Sequence, residues 1–140
     1  MQAKFKRLHL NAKLPVHGRP GDAGLDLFAP EDVIIPPHER KQIPLGFAME
    51  IPSEYVALVW DRSGMAAKMG IHSMAGVIDS TYRGEIKLVL YNTTNEPYQI
   101  NAGDKVAQMV IQRHETVSFT EVDELSETER GEQGFLSSGK

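Results

Sequence analysis

Two carboxylates stand in apolar stretches of the sequence, where they could take part in chemistry. Asp79 follows the apolar run 75–78 and precedes a turn-like segment, 80–84. Asp26 lies between two leucines. Each carboxylate could simply accept hydrogen bonds within a turn. The two residues are therefore candidates for hydrolytic chemistry, with a role in a turn as the alternative for each.

Two further segments offer groups that suit phosphate oxygens. The step Arg62-Ser63-Gly64 precedes helix formers and is typical of the start of a short helix, with Ser63 as a potential cap. The C-terminal segment beside Arg130 is rich in Gly and Ser and supplies backbone N–H groups, hydroxyls and a guanidinium. A solvated tail is the alternative for that segment. Together with the two carboxylates, these features suit metal-assisted attack of water on a phosphate.

Short apolar runs, separated by Pro and Gly about every ten residues, must position these side chains. The runs have the length of strands and are rich in β-branched and aromatic residues; they lie at 32–37, 43–49, 55–60, 86–91 and 106–111. Many short strands at this spacing predict an all-β sandwich, barrel or jelly roll, not alternating β-α units. The acidic stretch 121–132 predicts a loosely held tail.

Composition narrows the class of protein without indicating its chemistry. The 140 residues fit a single domain, and a formal net charge of -4 argues against non-specific nucleic-acid binding. The chain has no cysteine, which excludes thiolate chemistry and fits a reducing cytoplasm, and its five histidines are too scattered for a zinc site. No apolar run approaches the roughly 20 residues of a membrane span. We expect a cytoplasmic protein without membrane or nucleic-acid partners.

Five segments, taken in order, resemble the five motifs of the trimeric dUTPase family. They are 23–27, 61–68, 75–85, 103–108 and 130–139, and their order and spacing are those of the family over essentially the whole chain. The resemblance implies a jelly-roll or β-clip barrel of short strands with one short helix and a flexible C-terminal arm. It implies a single domain, 1–140, in which 126–140 form a lid.

The implied activity is hydrolysis of dUTP to dUMP and pyrophosphate, which keeps uracil out of DNA and supplies dUMP for thymidylate synthesis. By resemblance, Asp79 is the general base that activates a water for attack on the α-phosphate. The ring of Tyr82 packs against the deoxyribose and leaves no space for a 2′-hydroxyl. The backbones of Gly76 and Lys87, on the two arms of one hairpin, recognise the uracil edge and exclude a 5-methyl group.

The resemblance also assigns the groups that hold the triphosphate. Arg62, Ser63 and Gly64 contact phosphate oxygens at the start of the short helix, where unpaired N–H groups favour anions. Gln108 adds a neutral donor. Mg²⁺ is the implied cofactor; the substrate phosphates hold most of it, and Asp26 touches its water shell.

The C-terminal arm is expected to close over the nucleotide. The resemblance implies that Phe135 stacks on uracil and that Arg130, Ser137 and Ser138 bind the β- and γ-phosphates, so that the ordered arm excludes water. Leu136 stands where the family commonly has glycine, a departure that concerns the geometry of the lid. Family sites form where three subunits meet, which implies a homotrimer with three sites.

Two alternatives use the same scaffold. A dCTP deaminase needs a catalytic glutamate at the position of Val89, and valine cannot transfer a proton. A non-catalytic nucleotide-binding or regulatory module is the second alternative, since a fold does not determine function. Against it stands the presence of the residues that match the family's catalytic set, namely Asp26, Ser63, Asp79, Tyr82, Gln108, Arg130 and Phe135.

Overall fold

Short antiparallel strands make up nearly all of the regular structure. The computed structural model of the protein describes residues 1–134. Within that range there are twelve strands and one helix: β1 (Lys4–Arg7), β2 (Val16–His17), β3 (Leu25–Phe28), β4 (Val33–Ile35), β5 (Arg40–Pro44), β6 (Phe47–Glu50), β7 (Tyr55–Trp60), α1 (Ser63–Met69), β8 (Ile71–Met74), β9 (Val77–Ile78), β10 (Lys87–Asn92), β11 (Tyr98–Ile100) and β12 (Lys105–Arg113). The prediction of an all-β fold with one short helix is confirmed.

The strands of the described residues form four antiparallel sheets. The largest has the order β2-β3-β12-β7-β9, a three-stranded sheet has the order β5-β10-β8, and two pairs are β1-β6 and β11-β4. Side chains alternate between the two faces of a strand. The inner face of the five-stranded sheet therefore carries the buried residues Leu27, Ala57, Ala107 and Met109. The buried residues of the described chain are apolar except for Asn92, whose side-chain amide donates to Ile35 O and Glu96 O.

Strand β12 is the longest and lies at the centre of the five-stranded sheet. Its residue Gln108 is opposite Asp26 of β3 on one side and opposite Trp60 of β7 on the other. Because neighbours directly across a sheet share a face, these three side chains lie on the same, outer face. The pairing of β12 thus brings together two residues that are 82 positions apart in the sequence, Asp26 and Gln108.

The helix α1 is short and lies directly after β7. The predicted cap at Ser63 is wrong: Ser63 is the first helical residue, and Arg62 occupies the N-cap position without a side-chain capping hydrogen bond. The helix ends at Gly70, whose left-handed backbone (φ 64°) lets its N–H donate to Met65 O. No helix within residues 1–134 is long and apolar enough to cross a membrane.

The loop 76–87 differs from the predicted hairpin. Its two ends lie in different sheets, because β9 pairs with β7 whereas β10 pairs with β5 and β8. No ladder between β9 and β10 occurs in the described part of the chain. Since each end finds its backbone partners elsewhere, the two arms of the loop need not close on each other, and a cleft remains between them.

The segment 114–134 follows the last strand. It contains no helix or strand, and almost all of its side chains are exposed, including Phe119 and Leu125. Its hydrogen bonds after His114 are local, such as Gly131 N–H to Thr128 O at 3.1 Å. The body of the molecule thus ends at Arg113, and the arm begins there.

Candidate active site

The loop 76–87 and strand β8 enclose an open cleft of about 270 Å³, here called the loop cleft. Four of the predicted site residues line it: Gly76, Asp79, Tyr82 and Lys87. Val89 lies in the same cleft, so the position that a deaminase needs for its glutamate carries an apolar side chain here. The structure thereby brings together the residues expected to contact the nucleoside and the attacking water.

Asp79 begins a tight turn directly after β9. Its carbonyl oxygen accepts the N–H of Tyr82 at 3.0 Å, and the Arg83 guanidinium donates to Ser80 O at 2.6 Å and to Tyr82 O at 3.0 Å. Within residues 1–134 the Asp79 carboxylate makes no hydrogen bond or ion pair. The turn is therefore braced through its backbone, while both carboxylate oxygens can accept hydrogen bonds from a ligand or a water.

Tyr82 folds back over its own turn. Its hydroxyl donates to Glu85 O at 3.1 Å. Gly84 lies beneath the phenol ring, and a Cβ at that position would overlap the Tyr82 hydroxyl. The position of the ring in the cleft thus depends on the absence of a side chain at residue 84.

Gly76 allows the loop to pack closely on β7. Its backbone has φ 134°, and a Cβ there would lie 2.9 Å from Val59 O. The Gly76 carbonyl accepts the Val59 N–H at 2.8 Å. The preceding Ala75 also has a positive φ, 66°, which is unusual for a residue with a side chain. Such backbone strain is common at functional sites.

A second cleft, of about 950 Å³, lies at the start of α1 and is called the helix cleft. Its lining includes the five residues before the C-terminal arm that were predicted to lie near the phosphates: Asp26, Arg62, Ser63, Gly64 and Gln108. Three more basic residues line it (Arg19, Lys68 and Lys105), which makes four basic residues against the three acidic ones, Asp22, Asp26 and Asp104. In a chain with a net charge of -4, this is a local excess of positive charge.

Asp26 is held by two cations. One carboxylate oxygen lies 2.6 Å from Lys105 Nζ, the other lies 3.5 Å from Arg62 Nε, and the Asp26 side chain is 14% exposed. Arg62 also donates to Lys105 O at 3.2 Å. Lys105 was missed by the sequence analysis, although it lies in the segment 103–108, three positions before Gln108.

The donor set around Asp26 fits a magnesium ion that the substrate carries. The described residues contain no group of three or more His, Cys, Asp or Glu side chains that could hold a metal. Mg²⁺ usually keeps several waters and binds proteins through one or two carboxylates plus substrate phosphates. Asp26, in a cleft where basic residues outnumber acidic ones by one, satisfies that description, whereas a cage made of protein ligands alone does not.

Two ionisable groups beside the helix cleft have shifted pKa values. Burial alone would raise the pKa of Asp61, but hydrogen bonds from Ser73 and His72 outweigh it, and the net effect is a lowered pKa. Burial raises the pKa of the Tyr98 hydroxyl, and the charge of Asp104 adds to that shift. Asp61 therefore stays ionised and Tyr98 stays neutral around neutral pH.

The predicted site residues form two groups that one chain keeps apart. Within the described range, the loop cleft and the helix cleft have no lining residue in common. Arg130 lies in neither cleft; its Nε donates to Gln133 O at 2.7 Å in the exposed segment. Phe135, Ser137 and Ser138 lie outside the described residues.

An exposed apolar patch accompanies the helix cleft on the outer face of the five-stranded sheet. Val16, Trp60 and Val77 are 46%, 58% and 70% exposed. The cross-strand register runs from Val16 through Asp26 and Gln108 to Trp60, so two polar side chains separate Val16 from Trp60. Val77, opposite Leu58 of β7, lies on the side of Trp60, and these two residues form the patch. Exposed apolar patches beside polar groups are typical of surfaces that pack against another protein.

A family comparison agrees with this geometry. The family model described as dUTPase matches residues 10–139. The chain belongs to the dUTPase family. The matched range of this dUTPase-family chain contains all five motif-like segments, and thus both clefts and the exposed arm.

Bacterial proteins resemble the chain over nearly its whole length. It is 46% identical over 142 residues to a Nautilia profundicola protein, covering 100% of both chains. It is 46% identical to a Corynebacterium glutamicum protein, covering 98% of this chain and 94% of that one. It is 44% identical to a Thermobifida fusca protein, covering 99% and 79%. Each of these relatives is named deoxyuridine 5'-triphosphate nucleotidohydrolase.

Solved structures show the same fold. The dUTPase of Staphylococcus bacteriophage 80alpha with dUpNHpp has a TM-score of 0.93 at 30% identity, covering 99% of both chains. A mutant dUTPase from phage phi11 of S. aureus, described with a structural Mg(II) ion, has a TM-score of 0.84 at 29% identity, covering 91% of this chain and 100% of that one. The predicted dUTPase-like jelly-roll fold is thereby confirmed.

Proposed function

We propose that this dUTPase-family protein hydrolyses dUTP to dUMP and pyrophosphate, and so keeps uracil out of DNA and supplies dUMP for thymidylate synthesis. The observation that carries the proposal is the loop cleft, in which Asp79 and Tyr82 lie together with the backbones of Gly76 and Lys87. A carboxylate able to activate water, an aromatic ring and a strained backbone turn are the parts that selective hydrolysis of a deoxynucleotide requires.

Asp79 acts as the general base. It orients and deprotonates the water that attacks the α-phosphate in line with the leaving pyrophosphate. The supporting geometry is a carboxylate without a protein partner in the described chain, on a turn that Arg83 braces. The proton moves from the water to a carboxylate oxygen of Asp79.

Substrate selection belongs to the other residues of the loop cleft. The ring of Tyr82 packs on the deoxyribose and rejects a 2′-hydroxyl by exclusion. The backbones of Gly76 and Lys87 recognise the polar edge of uracil. Exclusion by shape discriminates through the cost to the wrong ligand and not through extra attraction to the right one.

The helix cleft binds the triphosphate. Arg62, Ser63, Gly64 and Gln108 contact phosphate oxygens, and Lys105 adds a second positive charge. Mg²⁺ held mainly by the phosphates would neutralise part of their charge, and Asp26 would hold it through its water shell. In the structure, Arg62 and Lys105 both pair with the Asp26 carboxylate. A polyphosphate that enters the cleft competes with that carboxylate for the two cations.

The arm completes the site. We propose one domain, 1–140, whose residues 126–140 close over bound nucleotide, with Phe135 on the uracil ring and with Arg130, Ser137 and Ser138 on the outer phosphates. A lid of this kind excludes water other than the attacking molecule. The exposure of residues 114–134 in the structure supports an arm that finds its contacts away from the body of its own chain.

The protein is further proposed to be a homotrimer whose sites are shared between subunits. Two observations support this: one chain holds the loop cleft and the helix cleft apart, and an apolar patch with Trp60 is exposed beside the helix cleft. Packing a second copy on the patch buries it and brings complementary clefts together. The cytoplasmic location stays a prediction.

The decisive experiment measures pyrophosphate release in the presence of Mg²⁺ from dUTP, dCTP, dTTP and UTP. Rapid release from dUTP alone is expected. Asp79→Asn should lower kcat by about 10²–10⁴-fold, the usual contribution of a general base, and should still bind a non-hydrolysable dUTP analogue. Asp123→Asn, an exposed carboxylate outside both clefts, is the matched control. No release from any of the four nucleotides would contradict the proposal, and near-normal turnover of Asp79→Asn would remove that residue from the role of base.

A further inference from the structure

Asp61 connects segments that line both clefts; it lines neither cleft itself, but lines a third cavity together with Ser73 and Gly76. Its Oδ1 accepts the backbone N–H of Ser73 at 2.6 Å, and its Oδ2 lies 2.6 Å from Nδ1 of His72. Its own carbonyl oxygen accepts a hydrogen bond from Gln108 Nε2 at 2.8 Å. One residue thus joins the end of β7 to β8 and to β12.

The hydrogen bond between Ser73 N–H and Asp61 gives a partner to a backbone group at the edge of a sheet. β8 is the edge strand of the sheet β5-β10-β8, so N–H groups on its outer side have no strand partner. The Asp61 carboxylate accepts one of them. Its side chain is only 24% exposed, and a hydrogen bond to an ionised acceptor is stronger than one between neutral groups. The contact is therefore well suited to fix the position of β8.

The segments at the two ends of this connection belong to different clefts. Ser73 lines the loop cleft, and Arg62, the residue after Asp61, lines the helix cleft together with Gly64. Asp61 lines neither of these two clefts. An effect of Asp61 on the reaction would pass through its neighbour Arg62 and its hydrogen-bond partners Ser73 and Gln108.

We propose that Asp61 is a positioning residue for dUTP hydrolysis, which fixes the turn Arg62-Ser63-Gly64 relative to strand β8. The phosphate-binding and nucleoside-binding segments of one chain then keep the same distance and orientation to each other. The inference rests on the proposed function. The role of Asp61 depends mainly on the carboxylate oxygen that accepts the Ser73 N–H, and less on the contact with His72.

The kinetic test compares three variants by steady-state hydrolysis of dUTP, well below their melting temperatures. Asp61→Ala should lower kcat/KM by about ten- to a hundredfold, the scale of loss expected when a catalytic arrangement is displaced by up to an ångström. Asp61→Asn keeps an acceptor oxygen and should restore most of that loss. His72→Phe leaves the bond to Ser73 intact and should change kcat/KM less than Asp61→Ala does.

A second readout does not depend on activity. Amide hydrogen exchange of Ser73, followed by NMR, should be slow in the wild type and at least about tenfold faster in Asp61→Ala, because the N–H loses its acceptor. If the wild type exchanges slowly at Ser73 but releases no pyrophosphate from dUTP, the proposed function fails while the connection through Asp61 stands. The two failures are therefore distinguishable.

Glu31→Gln is the control, since Glu31 is an exposed carboxylate that pairs with His9 at 3.4 Å and lines neither cleft. Its kcat/KM should equal that of the wild type. A lower melting temperature of Asp61→Ala with unchanged kcat/KM would overturn the proposal and leave Asp61 a purely structural role. Should Asp61→Ala not fold, the set Asp61→Asn, Asp61→Glu and Asp61→Ser decides: the variant with the fastest Ser73 exchange must have the lowest kcat/KM, and any other order overturns the proposal.

Discussion

Tyr82 shows how single residues decide the shape of the loop cleft. Its ring is held by a hydrogen bond from the hydroxyl to Glu85 O and by contact with Gly84, all within one turn. No distant part of the molecule is needed to set this geometry. The selectivity that we propose for Tyr82 is therefore open to change by substitutions that leave Tyr82 itself in place.

Gly84→Ala should narrow the preference for dUTP over UTP. The new Cβ would overlap the Tyr82 hydroxyl, so the ring must move and the space for a 2′-hydroxyl opens. We expect the ratio of kcat/KM for the two substrates to fall by about tenfold, a typical scale for a change of shape in a pocket. Tyr82→Phe is the control because it keeps the ring; an equal loss of selectivity in that variant would point to the hydroxyl instead.

Asp61 should also make the stability of the protein depend on pH. Its pKa is lowered on folding, so its stabilising contribution is present above the ordinary aspartate value of 3.8 and is lost as the pH falls through the lower, folded value. Near neutral pH, Asp61→Asn should reduce the free energy of unfolding by about 1 to 3 kcal/mol. Chemical denaturation at fixed protein concentration should show this difference shrinking below pH 3.8. A difference that grows on acidification would contradict the assignment.

Elements near the site were predictable to different degrees. The run 55–60 is strand β7 as predicted, because a short continuous run of apolar residues between turn-forming segments is typical of a strand. The run 43–49 proved to be two strands, β5 and β6, which separate at Gly46, where φ is 72°. The helix begins one residue earlier than predicted, because Ser63 is its first residue and Arg62 occupies the N-cap position without a side-chain capping hydrogen bond.

The contacts between elements were beyond the sequence patterns. Lys105 pairs with Asp26, and Asp61 pairs with Ser73, across distances in the chain that no local periodicity encodes. The two arms of the loop 76–87 were predicted to form one hairpin. Instead β9 pairs with β7 and β10 pairs with β5, so the backbone groups of the two arms bind other strands. Local propensity predicts which residues form strands, whereas the choice of partner is decided by the fold as a whole.

The C-terminal arm gives a prediction at the scale of single elements. Within residues 1–134, deletion from Arg130 onward removes no strand and only hydrogen bonds that are local to the exposed segment. We expect kcat for dUTP to fall by at least about a hundredfold, since positioning groups are lost, while circular dichroism and oligomeric mass stay those of the wild type. An unchanged kcat would exclude the arm from the site.

On the scale of the whole molecule, the separated clefts and the apolar patch point to the same arrangement. A cleft with the proposed general base and a cleft with cations are of little use apart, and both lie on a chain that exposes Trp60. Closed oligomers bury identical patches on every copy. Association would therefore stabilise the protein and complete its sites in a single step.

Trp60→Lys should disrupt that association. The wild type is expected at about 47 kDa, three times the 15.6 kDa of the chain, and the variant at a lower mass. Light scattering after size exclusion measures the two masses, and pyrophosphate release should show that the variant is less active. In the wild type, where Trp60 is the single tryptophan, its emission should shift to longer wavelength when dilution dissociates the oligomer. Ile34→Lys, an exposed apolar position on β4, is the control and should keep the mass. A wild-type chain that runs as a monomer would contradict the trimer.

The length of the exposed segment has a further consequence. From Arg113 at the end of β12 to Arg130 the chain can extend at most about 60 Å, which is enough to reach across a small domain. A tethered group of this kind is present at its target at an effective concentration in the millimolar range, whatever the concentration of the protein. A free peptide of residues 126–140 would have to be added at a comparable, roughly millimolar, level to replace the covalent arm. The covalent link to the domain, more than the binding affinity of the arm itself, would then keep the arm close to its site at a low concentration of the protein.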